Sequence, residues 1–560
     1  MSTLDWVILF GTLLAIVSYG VYKTKGSTNI EGYLKGDNSL KWWSIGLSIM
    51  ATQASAITFL STPGQAYQDG MGFIQFYFGL PIAMIILSIW VLPIYYKLKV
   101  YTAYEYLEKR FDLKTRVLGA ILFLIQRGLA AGITIYAPAI ILSTILDWPL
   151  EYTTLIIGVL VIIYTVIGGT KAVSQTQKIQ MMVMMGGMIV AGIFVVHLLP
   201  ENVGFTEAVN VAGHMGKLNL IDTTFDPDNR YTLWTGLLGG LFVALSYFGT
   251  DQSQVARYLS GKSLTESRLG LIFNGLLKIP MQFIILFIGA MVFVFYQFNQ
   301  PPIFFNEAAI KQVKRTPATK QAFEEKEQAY QQLFIQKKEM VTDLALAKDD
   351  KEITQLKTTI NNLNDQSEAL RKEAKGIIKS ADDQLETNDT DYVFISFVMK
   401  YLPSGVIGLL LAVIFSAAMS STASELNALA STSIVDVYKR NIYTKGSEKH
   451  YLNASKIATL IWGLIAVGFA LFAGLLDNLI QAVNILGSIF YGTILGIFLT
   501  GFFIKKIKGN AVFIAAAIAQ TVVLYFYFRT DVAYLWFNVI GCFTVIVVAF
   551  LLQKFIKTTR

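Results

Sequence analysis

Apolar runs of about twenty residues recur along most of this 560-residue chain. A hydrocarbon core about 30 Å thick takes roughly 20 helical residues to cross, so such runs read as membrane-spanning helices. Composition agrees. Hydrophobic residues make up 54% and charged residues only 15%, far less charge than a soluble domain of this size carries. The runs predict thirteen spans, at residues 4–23, 40–67, 72–97, 118–146, 151–170, 175–199, 232–256, 267–297, 389–438, 453–475, 479–504, 510–528 and 532–554. The first has no basic n-region and no small-residue cleavage site before Tyr22 and Lys23, so it reads as a retained span rather than a signal peptide. A single cysteine, Cys542, excludes an internal disulfide framework.

The net charge of +8 does not point to nucleic acid, because the basic residues sit in short loops between spans. Alternate loops hold them: Lys23, Lys25, Lys35 and Lys41; Lys97 to Arg116; Arg257, Lys262 and Arg268; Lys439 to Lys449; Lys505 to Lys508; and the tail with Lys554, Lys557 and Arg560. Loop 200–231 instead sets Glu201, Glu207, Asp222, Asp226 and Asp228 against Lys217 and Arg230. The positive-inside rule then puts the N-terminus outside and the C-terminus in the cytoplasm of a plasma (inner) membrane protein.

Residues 307–385 break the apolar pattern. Ile353, Leu356, Ile360, Leu363, Leu370 and Ile377 follow an a/d heptad, and Tyr330, Leu333, Met340, Leu344 and Ala347 form a similar stripe before Asp349-Asp350. A coiled-coil hairpin of two antiparallel helices is expected, projecting outside as a solvated spacer or a protein-binding arm. Its heptads can be satisfied between its own helices, so the membrane core is expected not to depend on it.

Ser420 and Ser421 stand mid-way along a long apolar helix, where lipid offers hydroxyls nothing to bond. Ala417, Ser420 and Ser421 share one face at i, i+3 and i+4. A carbonyl and two hydroxyls are hard oxygen ligands suited to a small alkali cation; plain helix packing is the alternative. Two other spans have polar centres: Ala51 to Thr58, and Ser246 to Ser253. They are the second and seventh spans, five apart in order, so they open two successive five-helix halves. Interrupted spans at matching positions point to an inverted-repeat transporter with ligands at mid-membrane. The domains expected are 1–39, an accessory span and inner loop; 40–200, the first repeat; 201–306, an outer loop and the start of the second; 307–385, the hairpin; 386–505, the rest of the second repeat; and 506–560, accessory spans.

Several stretches resemble the sodium/solute symporters, the group containing the sodium/glucose cotransporters. They are Trp42-Trp43, Ser55 to Phe59, Thr102 to Phe111, Tyr136 to Ala139, Gly168-Gly169, Asp251 to Tyr258, and the helix from Ser420 to Lys439. The Tyr-Ala-Pro-Ala and Gln-Ser-Gln-Val stretches look most like the branch carrying iodide, monocarboxylates and vitamins. The resemblance implies an all-α, polytopic, LeuT-like five-plus-five core. It implies a coupling sodium ion held by the carbonyls of Ala51, Ala54 and Ala417 and the hydroxyls of Ser420 and Ser421, and an aromatic gate at Tyr247. It also implies a solute region with Gln53, Ser55, Thr58, Tyr77, Lys278 and Asn484.

Departures from the family pattern refine this. Thr176-Gln177 stands where members often have Thr-Asp, so a second sodium site loses its charge. Tyr77 replaces a glutamate of the sugar carriers, and Ile57 is apolar, which disfavours a sugar. Arg127 and Lys278 are cations at membrane depth, each a mark of an ion-pair partner or a ligand. Asp251 and Glu425 are the structural partners expected for Arg127; an anionic solute is the other reading. There is no phosphate-cradling loop with a Walker lysine, so ATP is not the energy source. The expectation is a transporter rather than an enzyme, with sodium-driven uptake of a small, anionic organic solute and no organic cofactor. A sodium/sugar symporter, a proton-coupled carrier and a transporter-like sensor are the alternatives.

Overall fold

The computed structural model describes residues 1–24, 40–383, 385–472 and 478–556. Lys25, Lys35, Lys557, Arg560 and the end of the expected 453–475 span lie outside the described residues.

Among the described residues, ten helices are long and apolar enough to cross a membrane, eleven with one bent pair. Two further apolar helices are shorter, Leu150–Val166 and Thr235–Thr250. Each overlaps one of the thirteen expected segments, with ends shifted by up to six residues, and one segment needs a larger correction. The expected 389–438 span is interrupted: a short helix ends at Tyr401, and the chain turns at Pro403 and at Gly405, whose φ of +89° suits glycine. The crossing helix begins only at Val406.

The helices that carry the site are α1 (Thr3–Thr24), α2 (Trp42–Gln53), α3 (Ala56–Asp69), α4 (Leu113–Leu146), α5 (Leu150–His197), α6 (Gly240–Thr250), α7 (Gln252–Leu259), α8 (Leu264–Phe298), α9 (Pro317–Leu346), α10 (Asp350–Ala381), α11 (Val406–Thr432) and α12 (Leu479–Phe503). Side-chain oxygens cap several starts: Asp112 accepts from the Thr115 amide at 2.9 Å, and Asn478 accepts from the Ile480 amide at 2.9 Å. Along α5, Tyr164 and Thr176 hydroxyls meet at 3.1 Å. A straight helix would hold residues twelve apart at about 18 Å. α5 is therefore not a straight rod.

Small residues bring the helices close. A Cβ on Gly289 of α8 would lie 2.3 Å from the Pro63 carbonyl of α3, and one on Gly64 would lie 2.1 Å from the Thr390 carbonyl. Without a hydrophobic drive inside lipid, such close packing is what holds helices together.

The charged insertion forms the expected helix pair. Lys326 meets Glu373, and Lys337 Nζ donates to Asn364 at 3.2 Å, so α9 and α10 run antiparallel. The pair is not detached from the membrane helices. Val341, Leu344, Ala345 and Ile360 are buried in the same apolar core as the membrane helices. Arg371, 5% exposed, places Nη2 at 3.0 Å from both carboxylate oxygens of Asp389, which lies beyond the hairpin. Its guanidinium lies 5.6 Å above the Phe305 ring, and Phe305 packs edge-on against Tyr67 of α3. The stripes include Leu344 and Ile360, which join that core, but not Arg371, which holds Asp389.

Candidate functional site

Both interrupted spans break in the structure. α2 and α3 meet at a 63° bend. Ala54 (φ −82°, ψ 81°) and Ser55 (φ −79°, ψ 174°) leave the helical conformation there. Between α6 and α7, Asp251 is extended, with φ −77° and ψ 119°. Its side chain caps α7 by accepting from the Ser253 amide at 2.9 Å. Backbone this irregular is tolerated at membrane depth only when it is buried in protein or lines a cavity.

α11 packs against the first break. Ser420 Oγ donates to the Ala51 carbonyl at 3.1 Å, and Ser421 Oγ donates to the Ala417 carbonyl at 2.9 Å. Ala51, Ala54 and Ala417 are fully buried, as are both serines. The donor set is uncharged oxygen, the chemistry that suits an alkali cation. One turn further along α11, Gln177 of α5 joins the same helices. Its Nε2 donates to Thr52 and Ser424 hydroxyls, each at 2.9 Å, and its Oε1 accepts from Ser48. The amide thus fills with neutral hydrogen bonds the position where a carboxylate was looked for.

Beside the α2/α3 break lies a cavity of about 100 Å³. Seven of the residues expected to face a solute line it: Gln53, Ser55, Thr58, Tyr77, Arg127, Tyr247 and Asn484. Lys278 does not. It is fully buried behind the cavity wall, with Nζ 5.6 Å from the centre of the Tyr77 ring, and is corrected from a lining residue to one standing behind it. The cavity also includes Gln126, Thr134, Glu425 and Tyr491, which the sequence reading did not assign to a solute site. The signal for two of them was present: Gln126 and Glu425 are polar residues in apolar spans.

Arg127 takes the ion-pair role. Its Nη1 donates to Glu425 Oε1 at 3.0 Å, and its Nη2 pairs with Asp251 and reaches Tyr491 Oη at 2.5 Å. Tyr247 lies 5.3 Å below the guanidinium and accepts from Gln254 Nε2 at 2.7 Å. One guanidinium therefore ties α4, the α6/α7 break, α11 and α12.

Above the cavity, Gln481 Nε2 of α12 donates to Gln65 Oε1 of α3 at 3.0 Å. Arg230 holds the other end of Gln481, and Gln65 bonds Asp69. At the far end of the bundle, Arg116 bridges Glu108, at 2.8 Å, and Asp436, at 2.7 Å. Arg440, with Arg116 beside it, holds the Glu108 carboxyl below its ordinary range.

The family model of the sodium:solute symporters matches residues 33–333 and 381–518, leaving outside it residues 1–32, residues 334–380 of the hairpin, and residues 519–560. The chain is 25% identical over 567 residues to the sodium/sialic acid symporter NanT of Aliivibrio fischeri, covering 99% of this chain and 94% of that protein. It is 27% identical over 500 residues to human sodium-coupled monocarboxylate transporter 1, covering 89% of this chain and 68% of that one. A solved, substrate-bound outward-open structure of a Na+-coupled sialic acid symporter shares the fold. Its TM-score is 0.76 at 22% identity, over 99% of this chain and 98% of that chain. The chain belongs to the sodium:solute symporter family: it is a multi-pass membrane protein that carries a small organic solute together with sodium.

Proposed function

We propose that sodium binds between α2 and α11, on the carbonyls of Ala51, Ala54 and Ala417 and the hydroxyls of Ser420 and Ser421. The observation that carries this reading is the 3.1 Å contact from Ser420 to the Ala51 carbonyl, beside the break at Ala54 and Ser55. Both hydroxyls now donate to carbonyls of the same set. A cation entering would turn their lone pairs inward and draw the carbonyls with them. The ion then holds α2 against α11, and the solute meets a formed cavity wall. Losing the ion to the cytoplasm loosens the contact and frees the solute. Coupling is this shared conformational free energy.

The ten core helices form two inverted five-helix halves, each opened by one of the two broken helices. The N-terminus and the hairpin lie outside and the C-terminus lies in the cytoplasm, as the distribution of lysine and arginine supports. The paired heptad stripes support coiled-coil packing of α9 on α10.

The solute carries an anionic group. Sialic acid and monocarboxylates, the solutes named for the relatives, share a carboxylate. The N-terminus of α3 opens onto the cavity at Ser55, whose side chain makes no cap bond, and unsatisfied amides at a helix start favour an anion. Gln177 supports one sodium per cycle, because its amide brings no negative charge to a second site. Purified protein in liposomes, given an inward sodium gradient, should take up organic acids in preference to glucose. Uptake of glucose with exclusion of acids would overturn the anionic assignment. Uptake independent of sodium would overturn the site.

A further inference from the structure

Two carboxylates share one guanidinium beside the cavity. Asp251 Oδ2 takes Arg127 Nη2 and the Tyr491 hydroxyl, the latter at 3.1 Å. Its Oδ1 accepts from the Ser253 amide and hydroxyl at 2.9 and 2.6 Å. Glu425 takes Arg127 Nη1 on Oε1 and the Thr134 hydroxyl on Oε2, at 2.8 Å. Among the described residues no second cation pairs with either carboxylate. Asp251 is 1% exposed, Glu425 4% and Arg127 3%. Arg127 therefore stands as one cation against two carboxyl groups, and neither has it alone.

The Glu425 side of the cluster faces the cavity. Glu425 lines it and Asp251 does not. Next to Arg127 on α4, Gln126 is 1% exposed, lines the same cavity, and has no partner for its Oε1. Gln53 Oε1, on the α2 side, is also without a partner. Phe76, Tyr77, Tyr247 and Phe248 supply the aromatic walls. A carboxyl group with only a shared cation, unpaired acceptors and aromatic faces are the chemistry that receives an ammonium group, which brings the counter-charge the carboxyl lacks. An isolated anion would meet the Arg127 guanidinium only after two carboxylates had already taken it.

We propose that the transported solute is a zwitterion: its protonated amine sits against Glu425 and Gln126 within the aromatic walls, while its anionic group faces the start of α3. This deepens the symporter reading above and rests on it. It assigns Glu425 a role in recognising the solute beyond its structural pair with Arg127.

The test uses the full chain in liposomes with an inward sodium gradient. The probes are the standard amino acids, β-alanine, γ-aminobutyrate, taurine and glycine betaine, set against N-acetylated amino acids, lactate, pyruvate and propionate. At least one zwitterion should drive sodium-dependent transport current, and a partner lacking the positive charge, by acetylation or deamination, should lose at least tenfold in apparent affinity. Glu425→Gln keeps hydrogen bonds to Arg127 and Thr134 but removes the charge, and it should weaken the zwitterion by tenfold or more. If that variant fails to fold, the comparison of charged and acetylated probes on the parent protein decides alone. Acids without an amine transported as well as every zwitterion would overturn this inference and leave the anion symporter standing. No sodium-driven transport of any anion-bearing probe would overturn the symporter reading itself.

Discussion

Ser420 donates its hydroxyl hydrogen to the carbonyl of Ala51 across 3.1 Å, joining positions 369 residues apart. The contact ties the rigid middle of α11 to the last turns of α2, just before that helix breaks. The neighbouring amide of Gln177 fastens the same helices one turn away.

On the proposed one-sodium cycle, that amide is what limits the ion count. With no carboxylate at Gln177, one sodium should move per solute, and reversal potentials of the reconstituted protein should report a ratio of one. A ratio of two contradicts the assignment. Gln177→Ala leaves the hydroxyls of Ser48, Thr52 and Ser424 short of a partner, and should cost about 1–3 kcal/mol of stability. Thermal unfolding in detergent measures it.

The hairpin cannot be removed without consequence. Excising residues 307–385 would leave Asp389 buried beside Phe305 with no guanidinium. Arg371→Met should destabilise by less than the roughly 3–5 kcal/mol of a fully stranded buried charge, because Lys375 Nζ stays 3.4 Å from Asp389 Oδ1. The double variant Arg371→Met, Asp389→Leu should recover most of that loss. A single variant as stable as the parent would show the hairpin to be the free spacer its heptads suggest.

Docking of the hairpin should also respond to pH. Burial pushes the Lys337 ammonium down to about 8. An exposed lysine titrates near 10.4. Between those values the undocked hairpin holds a proton that the docked one has released, so docking strengthens as pH rises from about 8 to about 10. Hydrogen exchange across α9 and α10 should slow over that interval, and Lys337→Met should flatten the response.

The roof over the cavity is a hydrogen-bond chain through Gln65 and Gln481. A single such bond contributes about 1 kcal/mol, so Gln481→Ala should shift the balance between closed and open outer faces about fivefold. A cysteine placed at Thr58, in a background with Cys542 replaced by alanine, should then be labelled faster from outside. Equal labelling rates would show that the closure is held elsewhere.

Much of this architecture is legible in the sequence because lipid makes polar residues conspicuous. The small, polar centres at Ala51 to Thr58 and at Ser246 to Ser253 announced both breaks, and the serines of α11 announced the contact with α2. What stayed hidden depends on how helices face one another. Lys278 and Arg127 look alike in sequence, yet one stands behind Tyr77 and the other lines the cavity. Gln126 and Glu425 were visible as polar residues, but only packing shows that they share a wall. The docking of the hairpin was hidden because a stripe does not say what it packs on: Leu344 and Ile360 belong to it yet join the membrane core, and Arg371 lies off it.

The sodium site is tested most directly by the sodium dependence of uptake in Ser420→Ala and Ser421→Ala, each checked for normal insertion. Losing one of five oxygen ligands should raise the sodium concentration for half-maximal uptake about tenfold, equivalent to about 1.4 kcal/mol. An unchanged sodium requirement in both variants would place the ion elsewhere and contradict the account.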